Sequence, residues 1–363
     1  MKALASCRTA ALGGHRLACD HCGDSRIAYN SCRNRHCPKC QAGARAEWLE
    51  DRQADLLPVG YFHVVLTLPA PLGNLAWQNK RVLYGALFSA SAETLLEIAA
   101  DPKHLGAEIG FLSVLHTWGQ NLLHHPHVHC VVPGGGLSAD GQRWVACREN
   151  FFLPVRVLSR VFRGKFLARV REAYNRGELS FHGELARHAG PAAFKDWLKP
   201  FYHKEWVVYA KPPFGGPEQV LKYLARYTHR VAISNDRLIS MEGDQVTFRW
   251  KDYASHSRLR TMTLSASEFI RRFLLHVLPS GFMRIRYYGF LANGHAQAKL
   301  ALCRRLLGAC GPLERDADVV AEAPAEVEAE RCPTCDVGRL RIVETWPRPN
   351  AHTILQSRLC DSS

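Results

Sequence analysis

Five cysteines fall between positions 19 and 40, and their spacing restricts the fold more than any other feature of the chain. Cys19-x-x-Cys22 is followed after 14 residues by Cys37-x-x-Cys40. Two such knuckles facing each other supply four thiolates at tetrahedral geometry around one Zn²⁺, and Gly23 and Pro38 suit their tight turns. Four sulfurs leave no coordination position open for a substrate, so the ion would staple the fold. Cys7, His15, Cys32 and His36 remain. They are candidates for a second zinc, or else Cys32 is buried and the histidines contact a polyanion. The chain has 13 cysteines, an odd number that argues for metal over a disulfide framework.

Charge points to the partner. Lys and Arg number 47 against 33 Asp and Glu, a formal net charge of +14. Such an excess concerns partners and solubility, and nucleic acid is the first polyanion to consider. Arg26, Arg33, Arg35, Lys39 and Arg45 surround the cysteines, a placement that suits phosphate contacts. The longest apolar candidate, Tyr61 to Leu72, is interrupted by prolines and falls short of the roughly 18 residues of a bilayer crossing. Met1 to Gly14 lacks the apolar segment of a signal peptide. The expectation is a cytoplasmic protein with no membrane partner.

Past the cysteine-rich residues 1–50, the pattern turns to alternating strands and helices. Tyr61 to Pro69 is β-branched and aromatic and reads as a strand. Residues 74–100 carry leucines and alanines at helical intervals. Phe111 to Trp118 and His127 to Pro133 read as strands, the latter closed by Gly134-Gly-Gly136. Residues 155–200 read as mostly helical and basic, and Glu205 to Ala210 as a short strand. Pro217 to Tyr227 has the signature of a helix, with proline in its first turn. Short strands fill 230–264, and 266–278 returns to helix. Residues 311–330 have the Ala/Glu/Pro composition of an acidic linker. The tail 331–363 carries Cys332-Pro-Thr-Cys335, half of a zinc ribbon, with Cys303, Cys310 or Cys360 as candidate partners.

Two clusters carry chemistry. On a strand, residues i and i+2 share a side, so His127 and His129 project together while Val128 enters the core. Paired imidazoles grip a divalent metal, and His125 and Gln120 are both near enough in sequence to add a third ligand. On the expected helix, Tyr223 and Tyr227 share a face, with Lys222, Arg226 and Arg230 on the adjacent stripe. A phenol flanked by cations is eased toward phenolate and can meet a scissile phosphate.

Read together, these motifs resemble the two-tyrosine transposases of rolling-circle insertion sequences, the insertion-sequence 91 family. The likeness rests on Asn30-Ser-Cys-Arg-Asn-Arg-His-Cys-Pro-Lys-Cys40, His116-Thr-Trp-Gly119, His125-Pro-His-Val-His129, Pro133-Gly-Gly-Gly136, Tyr223-Leu-Ala-Arg-Tyr227 and Tyr287-Tyr-Gly-Phe-Leu291. It covers about residues 7 to 305. It implies an α+β fold of the HUH endonuclease type, an antiparallel sheet with packed helices, preceded by a small Cys-rich zinc-binding module. The implied boundaries are 1–50 for that DNA-contacting module, 51–310 for the catalytic domain, 311–330 for the linker and 331–363 for the tail. By the same resemblance, an N-terminal helix usual in the family is expected to be short or missing.

The resemblance further implies Mg²⁺ or Mn²⁺ at His127 and His129, attack by Tyr223 or Tyr227 on a phosphodiester, and a 5′-phosphotyrosine intermediate. The partner would be DNA, mainly the single-stranded ends of a mobile element at the bacterial nucleoid. Three other readings compete. A replication initiator or relaxase shares the chemistry. A non-catalytic zinc-finger binder leaves the histidines and tyrosines idle. A metal-dependent hydrolase leaves no protein–DNA adduct.

Overall fold

The computed structural model describes residues 2–34, 36, 37, 39, 48, 49, 52, 53, 55–211, 219, 232–252, 255, 258–292, 294–308 and 331–348. A short helix, α1 (Lys2–Ala5), precedes the antiparallel hairpin of β1 (Gly14–Cys19) and β2 (Ser25–Tyr29). Next come β3 (Tyr61–Thr67) and two helices, α2 (Ala70–Gln78) and α3 (Lys80–Ala100). The sequence pattern gives one helix over 74–100, but the backbone breaks at Asn79. The Asn79 amide donates to the carbonyls of Leu75 and Ser180 and accepts from the Ser180 N–H at 2.7 Å, trading helix continuity for three bonds.

The chain continues through β4 (Ala107–Glu108), β5 (Gly110–Trp118), β6 (His124–Pro133), β7 (Gly135–Ser138) and β8 (Trp144–Ala146). Helices α4 (Val155–Asn175) and α5 (Pro191–Leu198) lead to β9 (Val208–Lys211). Then follow β10 (Leu238–Glu242), β11 (Gln245–Asp252), β12 (Arg258–Ser265), α6 (Ala266–Leu275), β13 (Ile285–Gly289), α7 (Ala296–Leu306) and β14 (Leu340–Trp346). The mixed α+β fold with antiparallel sheets is the class expected from the sequence.

Among the described residues, the central sheet has the order β13-β5-β6-β3-β9, and every pairing in it is antiparallel. Its two faces differ. Phe62, Val64 and Leu66 of β3 join Val128, Cys130 and Val132 of β6 in the main core, against Leu83, Leu87 and Phe88 of α3 and Phe162 and Phe166 of α4. The opposite face carries Tyr61, Leu112, Val114 and Val131, with Trp48, Leu56 and Val59 packed on them. Helix α3 is long and apolar enough to cross a membrane by length and composition, a stretch the sequence reading did not single out beside Tyr61 to Leu72. Its Leu83, Tyr84, Leu87, Phe88 and Leu95 are fully buried in the main core.

Two of the glycine-bearing motifs are set by backbone space. A Cβ at Gly289, where φ is +59°, would lie 1.7 Å from the Ile109 carbonyl oxygen, so the Tyr287-Tyr-Gly run needs glycine. A Cβ at Gly136 would lie 2.5 Å from the Glu108 carbonyl oxygen, where β7 passes β4.

The chain divides into two compact units, one of residues 47–311 and one joining 1–46 to 312–363. The tail is therefore no separate piece. Strand β14 pairs antiparallel with β1, so the order in this unit is β14-β1-β2.

Phe162 is fully buried where α4 meets the sheet. Phe162→Ala should lower stability by about 3–5 kcal/mol, read from the urea midpoint. Val343→Ala, at a position 51% exposed on β14, should change it by less than about 0.5 kcal/mol.

Candidate metal centre

Strands β5 and β6 set the site. Their register places His116 opposite His127 and Val114 opposite His129. Residues paired across strands share a face, as do residues two apart, so all three histidines lie on the sheet face away from α3 and α4. Val128, between two of them, is fully buried in the main core. One ligand atom from each of His116, His127 and His129 lies within 4.8 Å of the others.

Hydrogen bonds fix how these rings are presented. His127 Nδ1 donates to the His125 carbonyl oxygen at 2.6 Å, which leaves the lone pair on Nε2. His129 Nδ1 lies 2.6 Å from Nε2 of His63 on β3, and the two rings stack at 4.9 Å. A proton on His129 Nδ1, donated to His63, leaves the His129 Nε2 lone pair for a cation in the same way. A second layer of this kind is how metal-binding imidazoles are oriented.

Burial keeps the two β6 rings neutral, which is their ligand form. It pushes His127 down to about 3, with the neighbouring His125 adding to the effect. It holds His129 well below the ordinary value, with His116 and His127 as further causes. His63 is pushed down to about 4 by burial and then by Lys211. Three imidazoles at this spacing could hold one divalent ion, with positions left for water and substrate oxygens.

The third imidazole of the group is His116, where the sequence offered His125 or Gln120. His125 is exposed and outside the cluster, its carbonyl serving His127 instead. Gln120 lies beyond the end of β5, where its main-chain carbonyl accepts from Arg237. His116 stands in the quoted His116-Thr-Trp-Gly119 run, but only the cross-strand register reveals its place. Tyr223, Tyr227, Lys222, Arg226 and Arg230 lie outside the described residues.

A second set of polar groups gathers around Tyr84 of α3 and Thr117 of β5. His276 faces the Thr117 hydroxyl at 3.2 Å and the Leu122 carbonyl at 3.1 Å, and His124 meets the Tyr84 hydroxyl at 2.7 Å. Burial pushes His276 down to about 4 and His124 to about 3. Beside His124 opens a cavity of about 520 Å³ lined by Trp77, His188, Trp197, Arg187 and Arg271, among others. Trp77 is 44% exposed there, and His188 stacks on Trp197.

The cysteines group differently from the expectation. Cys19 and Cys22 come together with Cys332 and Cys335, while Cys37 comes together with Cys7 and Cys32. Cys40 lies outside the described residues. The reason is the pairing of β1 with β14, which local spacing cannot show. Cys303, one suggested partner of the tail knuckle, is buried beside Leu57 and Phe290 in the other unit. Cys310 and Cys360 lie outside the described residues. His15 pairs within the β1 ladder and stands outside both groups, and so does His36, whose N–H donates to Asn34. Arg33 has a φ of +48°, and Arg35 and Arg45 lie outside the described residues.

Comparison with known proteins supplies the family. A model described as "Putative transposase" matches residues 110–299, more than half the chain, and one described as "Transposase zinc-binding domain" matches residues 1–68. A protein named "Putative transposase y4qJ", from Sinorhizobium fredii, is 58% identical over 352 residues, covering 95% of this chain and 88% of its own. The "Transposase for insertion sequence element IS801" of Pseudomonas savastanoi pv. phaseolicola is 29% identical over 295 residues, 79% of this chain and 68% of its own. No solved structure matches.

The buried histidines make stability depend on pH. Their pKa values are lower in the folded than in the unfolded chain, so stability is full above about pH 6.5 and lost as pH falls toward 4. In chelator, hydrogen exchange of the β5 and β6 amides should accelerate steadily as pH falls from about 6.5 to 5, after correction for intrinsic rates. Protection unchanged over that range would contradict this account.

Proposed function

The chain belongs to the insertion-sequence 91 family of transposases, with an N-terminal zinc-binding domain, and we propose that it cuts and rejoins single-stranded DNA through a tyrosine-linked intermediate. The observation that carries this reading is the convergence of His116, His127 and His129 on one face of the central sheet. A transposase needs a group that activates a phosphodiester, and three imidazoles offer one divalent cation a site; imidazole nitrogen by itself favours zinc, iron, copper or nickel, and Mg²⁺ or Mn²⁺ is the choice that the family resemblance adds. Such an ion, when bound, polarises the scissile phosphate.

The chain's own groups do the rest. His63 and the His125 carbonyl hold the two β6 rings in register. A phenol of Tyr223 or Tyr227 attacks phosphorus and displaces the 3′ oxygen, which takes up a proton and leaves as a 3′-hydroxyl. The new 5′-phosphotyrosine keeps the phosphoester bond, so a later 3′-hydroxyl can rejoin the strand without ATP. Two tyrosines allow two such steps, one at each end of an element. Lys222, Arg226 and Arg230 lie on the same sequence segment and would neutralise phosphates, as would Arg33 and Arg35 near the cysteines.

Single-stranded DNA is favoured as substrate by the cavity beside His124. Its exposed Trp77, its stacked Trp197 and its arginines match the aromatic platforms and cations that hold unpaired bases and their backbone. The curated relatives are named transposases, which favours this role over a replication initiator or relaxase. The site of action would be the cytoplasm, at the nucleoid.

Two measurements test the reading. Labelled single-stranded DNA from the element ends, incubated with Mn²⁺, should give a shifted labelled band on a denaturing protein gel. Tyr223→Phe combined with Tyr227→Phe should abolish it, and cleavage that survives both changes would point to a hydrolase. Separately, His116→Ala should weaken Mn²⁺ binding at least about tenfold by titration, whereas His125→Ala should change it little.

A further inference from the structure

We propose that Cys19, Cys22, Cys332 and Cys335 hold one zinc ion that clasps the two ends of the chain together. Neither family match extends to the tail residues that this site requires.

The distances fit the ion. Cys19 Sγ lies 3.7 Å from Cys335 Sγ, and Cys22 Sγ lies 3.7 Å from Cys332 Sγ. Zinc–sulfur bonds of about 2.3 Å in a tetrahedron require roughly 3.8 Å between sulfurs. A disulfide would bring them to about 2 Å. All four sulfurs lie within 4.8 Å of one another.

The two knuckles also share one turn. After Cys22, Gly23 has a φ of +74° and its N–H donates to the Cys19 carbonyl. After Cys335, Asp336 has a φ of +56° and its N–H donates to the Cys332 carbonyl at 2.8 Å. Main-chain N–H groups of Cys22 and His21 point to Cys19 Sγ, and that of Gly338 points to Cys335 Sγ, each at 3.4 Å. Such bonds stabilise thiolates over thiols. A Cβ at Gly338 would lie 2.5 Å from Cys19 Sγ, so glycine lets the knuckles close.

Polar contacts around the sulfurs repeat the clasp. Asp20 accepts from the Arg339 N–H at 2.8 Å and pairs with the Arg341 guanidinium. Asp24 accepts from the Thr334 hydroxyl, and Arg26 donates to the same hydroxyl. Four thiolates with Zn²⁺ carry a net charge of −2, which Arg26 and Arg341 help to offset. On binding, each thiol gives its proton to solvent, so affinity falls with acid.

Two experiments on the full chain decide it, both in a reductant that prevents disulfides. First, zinc per chain is measured by mass spectrometry for the parent and for Cys332→Ser with Cys335→Ser. The variant should carry one zinc fewer, and an unchanged count would overturn the proposal. Second, a protease site is inserted within residues 311–330 and cut. The tail should stay bound to the remainder in zinc and separate when zinc is chelated. A tail that separates in zinc, or stays bound once zinc is gone, would overturn the clasp. This second readout also covers a variant that loses all its zinc by unfolding.

Discussion

The antiparallel register of β5 against β6 is the constraint on which the site depends. It sets His116 directly across from His127, and the two-residue period of β6 adds His129 on the same side. A slip of one residue on either strand would send those rings into the core and bring Val128 out. The register is held from the other face. Val128, Cys130 and Val132 alternate with the histidines and bury themselves against α3 and α4. The packing that stabilises the sheet is thus the device that aims the ligands.

That division explains which parts of the molecule the sequence discloses. The strands around Tyr61, Phe111 and His127 are legible because they are rich in β-branched and aromatic residues and almost wholly buried, so composition alone marks them. His127 and His129 are legible because their proximity is local. His116 is not, since it meets them only through a ladder that crosses a hairpin. The break at Asn79 is also hidden, because the bonds that replace helix geometry reach Ser180, about a hundred positions away.

The cysteines show the same limit. Cys19-x-x-Cys22 reads correctly as a metal knuckle, but its partner is chosen by strand pairing, not by nearness in sequence. Once β14 lies beside β1, with Cys19 opposite Leu340, the knuckle that precedes β14 stands at the end of the same ladder. Cys37 then goes to Cys7 and Cys32, whose positions are fixed by the return of β2 toward the start of the chain. Regular spacing within a segment establishes what kind of site a residue enters, while topology decides with whom.

Burial gives the histidine cluster its chemical character and also its vulnerability. A metal ligand must be neutral, and removing an imidazole from water favours the neutral ring. The same removal makes protonation of any of these rings a cost to the folded state. His63 and His129 are buried, stacked and joined by one hydrogen bond. Their coupling ties ligand orientation to the integrity of β3 and β6 together. A substitution at His63 of similar volume that lacks the nitrogen, such as His63→Leu, would therefore test orientation with little change in packing. The core face would be untouched, and only the tautomer of His129 would lose its guide.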